Sequence, residues 1–181
     1  MSRYLEADLE IHTERKQTKP VGLFGWLRFT LLIALLFFIF RFAIGIEMIN
    51  GHSMNPTIEN KSVLFINKIF FTPQRGDIVV IKSPDGYNII KRIIGLPHDK
   101  VTILDGITYV NGKALHEEYT KGTSIDVAEV TIPEGAVYVV GDNRTPGESL
   151  DSRDPNVGTC SIQNIIGEAE FSIFPFHRLN R

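Results

Sequence analysis

Residues 100–114 read Lys-Val-Thr-Ile-Leu-Asp-Gly-Ile-Thr-Tyr-Val-Asn-Gly-Lys-Ala. Two short runs rich in Val, Ile, Thr and Tyr each end in an Asx-Gly pair, Asp105-Gly106 and Asn111-Gly112. Such pairs tolerate the positive φ of a two-residue turn whose twist matches that of the flanking strands. The stretch therefore predicts three antiparallel strands in succession. The same pattern extends outward on both sides. Segments 62–66, 77–82, 87–95, 100–104, 107–110, 114–116, 127–131, 136–140 and 169–174 are short and rich in β-branched or aromatic residues, and Gly, Pro, Asn or Asp separate them. Residues 163–166 read as one helical turn. Beyond residue 49 there is no long amphipathic helical period, no internal repeat and no low-complexity linker. The expected fold class is mainly β, an antiparallel β-sheet domain behind an N-terminal transmembrane helix.

That helix is read from the one long apolar run. Phe29 to Phe40 carries no charge, but twelve residues span only about 18 Å as a helix against a hydrocarbon core of about 30 Å. Taken as 21–46 the segment is long enough, with Arg28 and Arg41 snorkelling toward headgroups. Arg15, Lys16, Lys19 and Arg28 precede the run and favour a cytoplasmic N-terminus. The alternative is a cleavable signal peptide with Ala43-Ile44-Gly45 as its small-x-small site. Glu6, Asp8, Glu10 and Glu14 dilute the charge of a long n-region and speak against it. The organisation expected is a cytoplasmic tail over 1–20, a signal anchor over 21–46 and an extracytoplasmic β domain over 47–181. About 135 residues then remain to build one core.

Composition removes several classes. The net charge is −2 and no basic stretch is interleaved with aromatics, so nucleic acid is not an expected partner. Cys160 is the one cysteine, which rules out an internal disulfide, and no Cys/His set has zinc spacing. No metal or organic cofactor is expected.

Three polar sets remain. Gly51-His52-Ser53-Met54-Asn55 places a hydroxyl just beyond the apolar run, where Pro56 stiffens the backbone. Lys91 interrupts Tyr87-Asn88-Ile89-Ile90-Lys91-Arg92-Ile93-Ile94. In a strand Ile89, Lys91 and Ile93 share a face, so the lysine has apolar neighbours on both sides. Burial there disfavours the ammonium form, and a neutral lysine can take a serine's proton. An edge-strand lysine that blunts aggregation is the bland alternative. Gly141-Asp142-Asn143-Arg144 and Ser149-Leu150-Asp151-Ser152-Arg153 suggest a loop braced by charge-assisted hydrogen bonds, or merely a solvated one. His52 would point away from Ser53 in an extended segment. His98, His116 and His177 are candidates for a Ser-His-Asp site, but none sits in a recognisable motif.

Taken together, these motifs resemble those of bacterial type I signal peptidases, also called leader peptidases. The resemblance runs through Gly51 to Thr57, then Arg75-Gly76-Asp77-Ile78-Val79-Val80, then Lys91-Arg92-Ile93-Ile94-Gly95-Leu96-Pro97, and the two boxes at 141–144 and 149–153. It implies Ser53 as nucleophile, Lys91 as general base, and Ser149 as the serine that hydrogen-bonds and orients the lysine amine. It implies structural roles for Asp142, Asp151 and Arg153, with Arg92 as the partner of Asp142. Some members have a serine two positions before the nucleophile in the oxyanion hole; Gly51 stands there, so only the Ser53 N–H carries over. His98 stands where glycine is usual, and the stretch 145–148 is longer than usual.

The resemblance implies a membrane-bound serine endopeptidase that removes N-terminal signal peptides from exported preproteins. It would sit in the bacterial plasma membrane beside the secretion translocon, with the lipid bilayer as its surroundings. Asn143-Arg144-Thr145 is a glycosylation sequon inside the presumed site, which fits a compartment that does not glycosylate. A maturase for one dedicated secreted protein shares every motif, and an inactive membrane-anchored β binding module is the non-enzymatic alternative. Ile69-Phe70-Phe71 is read either as a loop dipping into the outer leaflet or as a core strand end.

Overall fold

The computed structural model describes residues 22–69, 71–83 and 86–179. The tail expected over 1–20 lies outside the described residues, as does Phe70. Two compact units divide at Phe37 and Phe38.

Helix α1 runs Leu23–Ala43, and its only charges are Arg28 and Arg41. Its 21 residues span about 31 Å. Mean hydropathy reaches 2.3 over an 18-residue window, none of which is buried inside the protein; Ala43, at the end of the helix, is buried. A helix apolar on every side has no core-facing stripe to bury. By length and composition α1 is able to cross a membrane.

The second unit is mainly antiparallel β-sheet, as expected. Its strands are β1 Ile44–Met48, β2 Val63–Asn67, β3 Ile78–Lys82, β4 Asn88–Gly95, β5 Lys100–Leu104, β6 Ile107–Val110, β7 Lys113–Ala114, β8 Val127–Thr131, β9 Ala136–Val140, β10 Cys160–Ser161, β11 Ile165–Phe174 and β12 His177–Arg178. The larger sheet has the order β1-β2-β11-β3-β4-β9-β10, with β12 on β11; the smaller has the order β7-β6-β5-β8. Asp105-Gly106 and Asn111-Gly112 have positive φ at all four residues and turn β5 into β6 and β6 into β7.

The helix stops three residues before the expected end of the apolar segment. Ile44, Gly45 and Ile46 pair instead with Asn67, Ile66 and Phe65 on β2. Gly45 lets the strands close: a Cβ there would sit 2.5 Å from Lys68 Cε and 3.2 Å from Ile66 Cβ. The single turn expected at 163–166 is a 3₁₀ turn at Ile162–Asn164, after which β11 begins four residues earlier than expected. The short strands β10 and β12 carry no pattern of their own. Phe71 packs against the core around Val79 while Ile69 is half exposed.

β3 and β4 are apolar on both faces because both faces are covered. One side holds Leu64, Ile66, Ile78, Val80 and Ile90. The other holds Val79, Ile81, Ile93, Val137 and Val139. Each such side chain contributes about 1.5–3 kcal/mol by leaving water. The pairing of Lys91 with Val79 places the lysine on the second side.

His98 explains the usual glycine. Asp99 N–H donates to the Leu96 carbonyl across Pro97 and His98, and His98 has φ of 70°. Only the third residue of such a turn needs positive φ, a position that favours glycine.

Candidate active site

The Ser53 turn follows β1 and is fastened to the loop after β9. Asn143 N–H donates to the Ser53 carbonyl at 3.0 Å, and Asn143 Nδ2 donates to the His52 carbonyl at 3.1 Å. Gly141 must lack a side chain, since a Cβ there would lie 2.4 Å from both the Ser53 carbonyl oxygen and Ser149 Oγ. Asn143 is buried and held by these bonds. Gly51 N–H is committed to Asn60 Oδ1 at 3.0 Å, so it is not free to hold an oxyanion.

Lys91 reaches this turn from the middle of β4. Its Nζ donates to Ser53 Oγ at 2.9 Å, although the two residues lie 38 apart in the chain. Lys91 is only 4% exposed. Burial lowers its pKa from 10.5 to about 8; Asp151 pushes the other way and Arg153 reinforces the fall. The lysine is therefore substantially neutral in mildly alkaline solution, and its amine already faces the hydroxyl. A cleft of about 160 Å³ opens onto both groups and is floored by Ile49, Met54, Val80 and Ile90.

The buried ammonium has a stability consequence. With a folded pKa of about 8 and an unfolded one of 10.5, the cost is full below pH 8 and fades as pH rises to about 10.5. That shift corresponds to about 3 kcal/mol. Lys91→Met is expected to stabilise the protein by up to about 3 kcal/mol at pH 6.5 and by little above pH 10. Urea denaturation of both forms at the two pH values checks this; equal stability at pH 6.5 contradicts it.

Two buried ion pairs frame the site. Arg92 donates through Nε to Asp142 Oδ1 at 2.8 Å and through Nη2 to Asp142 Oδ2 at 2.7 Å, with both side chains 0% exposed. Arg92 also donates to the Gly76 carbonyl at 2.7 Å and lies 3.9 Å from the centre of the Tyr119 ring. Thr57 Oγ1 donates to Asp142 at 2.5 Å, which ties the serine loop to this pair. Arg153 grips Asp151 through Nε at 2.8 Å and Nη2 at 2.9 Å. Burial works to raise the Asp151 carboxyl, but Arg153, the Gly141 N–H and Ser149 hold it below the usual range. A third pair joins Arg144 to Glu117.

Ser149 differs from its expected contact. Its hydroxyl donates to Asp151 Oδ2 at 2.6 Å rather than bonding Lys91. The carboxylate of Asp151 outcompetes a neutral amine as acceptor, because charge-assisted hydrogen bonds are stronger. Ser152 Oγ accepts from Val139 N–H at 3.0 Å and braces β9. The histidine alternatives do not converge on Ser53. His98 and His116 face Glu134 and Glu118 at the surface, and His177 contacts the Thr57 and Pro175 carbonyls. His52 is exposed.

Asn143, Gly141, Thr57, Tyr119 and Glu117 were given no role from sequence. The first three lie inside quoted motifs, which was the available signal. Tyr119 and Glu117 sit in a loop with no local pattern.

The profile described as "Signal peptidase, peptidase S26" matches residues 23–174. The chain belongs to the signal peptidase family, peptidase S26. It is 33% identical to the signal peptidase I of Bacillus licheniformis over 93% of this chain and 98% of that protein. It is 39% identical to a probable signal peptidase I-1 of Synechocystis over 72% of this chain and 71% of that protein. A crystal structure of a signal peptidase I from Enterococcus faecalis is 33% identical and covers 54% of this chain and 97% of that one, with a TM-score of 0.47. Signal peptidase membership makes the protein a peptide-bond hydrolase whose substrates are preproteins bearing signal peptides. No group of His, Cys, Asp and Glu among the described residues has the arrangement of a metal site.

Proposed function

We propose that this signal peptidase works through a Ser53–Lys91 dyad, anchored in the bacterial plasma membrane by α1. The observation that carries the reading is the 2.9 Å contact between Lys91 Nζ and Ser53 Oγ, made by a lysine that burial has brought to a pKa of about 8. Neutral Lys91 takes the Ser53 proton as Oγ attacks the carbonyl of the −1 residue. The Ser53 N–H stabilises the oxyanion. Lysine then protonates the leaving amine, and with the acyl group on Ser53 it activates the water that releases it. The peptide adds as an extended strand in the cleft above Ile49 and Ile90, whose shallow floor favours small residues at −1 and −3. Asp142 with Arg92 and Asp151 with Arg153 hold the two loops that carry this geometry.

The organisation supporting this function is a cytoplasmic tail over 1–20, the anchor over 21–46 and an extracytoplasmic catalytic domain over 47–181. The basic residues before the apolar run favour that orientation. A catalytic domain tethered there meets preproteins as they leave the secretion translocon. Incubating the detergent-solubilised protein with a preprotein, beside Ser53→Ala, tests the reading. Processing by the parent alone supports it, and equal processing by both sinks it.

Ser149 acts here through Asp151, not on the lysine directly. Ser149→Ala removes one hydrogen bond to a charged group, so it is expected to cost roughly 1.5–3 kcal/mol, shared between stability and turnover. Ser152→Ala leaves the buried Val139 N–H without its partner and is expected to act on stability with a smaller change in turnover. Side-by-side kcat and denaturation midpoints decide this; greater loss of kcat in Ser152→Ala overturns the assignment.

A further inference from the structure

We propose that Glu47 reads the charge of the substrate residue four before the scissile bond and favours a basic side chain there. The inference rests on the dyad reading above. β1 and β4 flank the cleft that contains Ser53 and Lys91. Between them the sheet passes through β2, β11 and β3, each step antiparallel, so four reversals leave β1 and β4 running in the same direction. Each runs toward its own reacting residue. They share no ladder. The outer edge of β4 is also free at Asn88 to Lys91, because β9 pairs only with Arg92, Ile93 and Gly95. The cleft therefore has unpaired strand backbone along one wall.

Among the described residues, one side-chain hydrogen bond joins β1 to β4 across it. Asn88 Nδ2 donates to Glu47 Oε1 at 2.9 Å. Glu47 is the one carboxylate among the residues that line the cleft, and Lys91 is the one cation. Its other carboxylate oxygen has no hydrogen-bond partner among the described residues. Lys82 pairs with Asn88 across β3 and β4, yet it is exposed and forms no ion pair with Glu47 among the described residues. Glu47 is thus half-buried, held by a neutral amide and still able to meet a charge.

Strand geometry sets the position. Asn88 precedes Lys91 by three residues, about 10 Å along β4. A substrate strand that runs with β1 and β4 and presents its −1 carbonyl to Ser53 brings its −4 residue level with Asn88 and Glu47. A basic side chain at −4 gains the carboxylate, and an acidic one meets repulsion in a partly dry cleft.

The test uses the full chain in detergent and three peptides that differ only at −4, carrying Lys, Ala or Glu before one common cut site. The parent is expected to favour Lys over Glu by roughly fivefold in kcat/KM. Glu47→Gln brings the ratio toward one and Glu47→Lys inverts it. About 0.5 M salt shrinks it, as screening requires. An unchanged ratio in Glu47→Lys overturns the proposal, as does equal kcat/KM of the parent on the Lys and Glu peptides. Binding of the Lys and Glu peptides to Ser53→Ala, which needs no cleavage, is expected to show the same order of affinity. If Ser53→Ala still cleaves all three peptides, the dyad fails, while the binding order still decides the role of Glu47.

Discussion

Ser53→Ala and Lys91→Ala are each expected to abolish preprotein processing, and the double variant is expected to be no worse than either. In the proposed dyad the two groups act as one proton-transfer unit across their 2.9 Å hydrogen bond, and residues that act as a unit lose function non-additively. Loss of the serine removes the atom that forms the acyl bond. Loss of the lysine leaves a hydroxyl with no base, since no histidine among the described residues hydrogen-bonds Ser53 and the carboxylate of Asp151 is already engaged by Arg153, Ser149 and Gly141. Lys91→Arg is expected to fail as well, because a guanidinium keeps its charge at any working pH. Processing of a preprotein by the folded variants, with circular dichroism as the check on folding, measures this. Turnover within tenfold of the parent in either alanine variant contradicts the dyad.

Asp142→Ala is expected to destabilise the β domain by about 3–5 kcal/mol, because it takes the bidentate carboxylate away from a fully buried arginine. Arg92 keeps the Gly76 carbonyl and the Tyr119 face, but neither carries a compensating charge. Thr57 loses its acceptor at the same time, so the serine loop loses one of its ties to the 141–144 loop. Activity is expected to fall further than the folded fraction alone explains. Arg92→Met with Asp142→Leu removes both charges and is expected to recover much of the stability, since a buried pair is often matched by apolar packing. Urea denaturation of the single and double variants decides between these outcomes. A loss under about 1 kcal/mol in Asp142→Ala contradicts the pair's role.

How much of this was legible in sequence follows the range of the interactions. The β5-β6-β7 meander was readable because its turns are encoded locally, in Asp105-Gly106 and Asn111-Gly112. The burial of Lys91 was readable from its isoleucine neighbours, since period-two alternation fixes which residues share a face. β1 was not, because Ile44 and Ile46 continue the apolar run of α1, and only pairing with β2 makes them a strand. Glu117 and Arg144 lie 27 residues apart, and Thr57 and Asp142 lie 85 apart; no local pattern signals either pair. The residues around Lys91 came from motifs with recognisable order, and the structure brings Ser53, Lys91, Asp142, Arg92, Asp151 and Arg153 into one region. The contact of Ser149 was misjudged because a two-residue offset cannot tell which of two nearby acceptors a hydroxyl takes.

The pH dependence of kcat/KM for one preprotein tests most directly whether a neutral, buried Lys91 is the base. The pKa of Lys91 is lowered by burial to about 8, so the neutral fraction rises as pH climbs toward that value. kcat/KM is expected to increase about tenfold per unit between about pH 5.5 and 7.5 and to level off above about 8.5. Stability controls at each pH separate this from unfolding. A profile flat across this range, or one that falls above neutrality while the protein stays folded, contradicts the account.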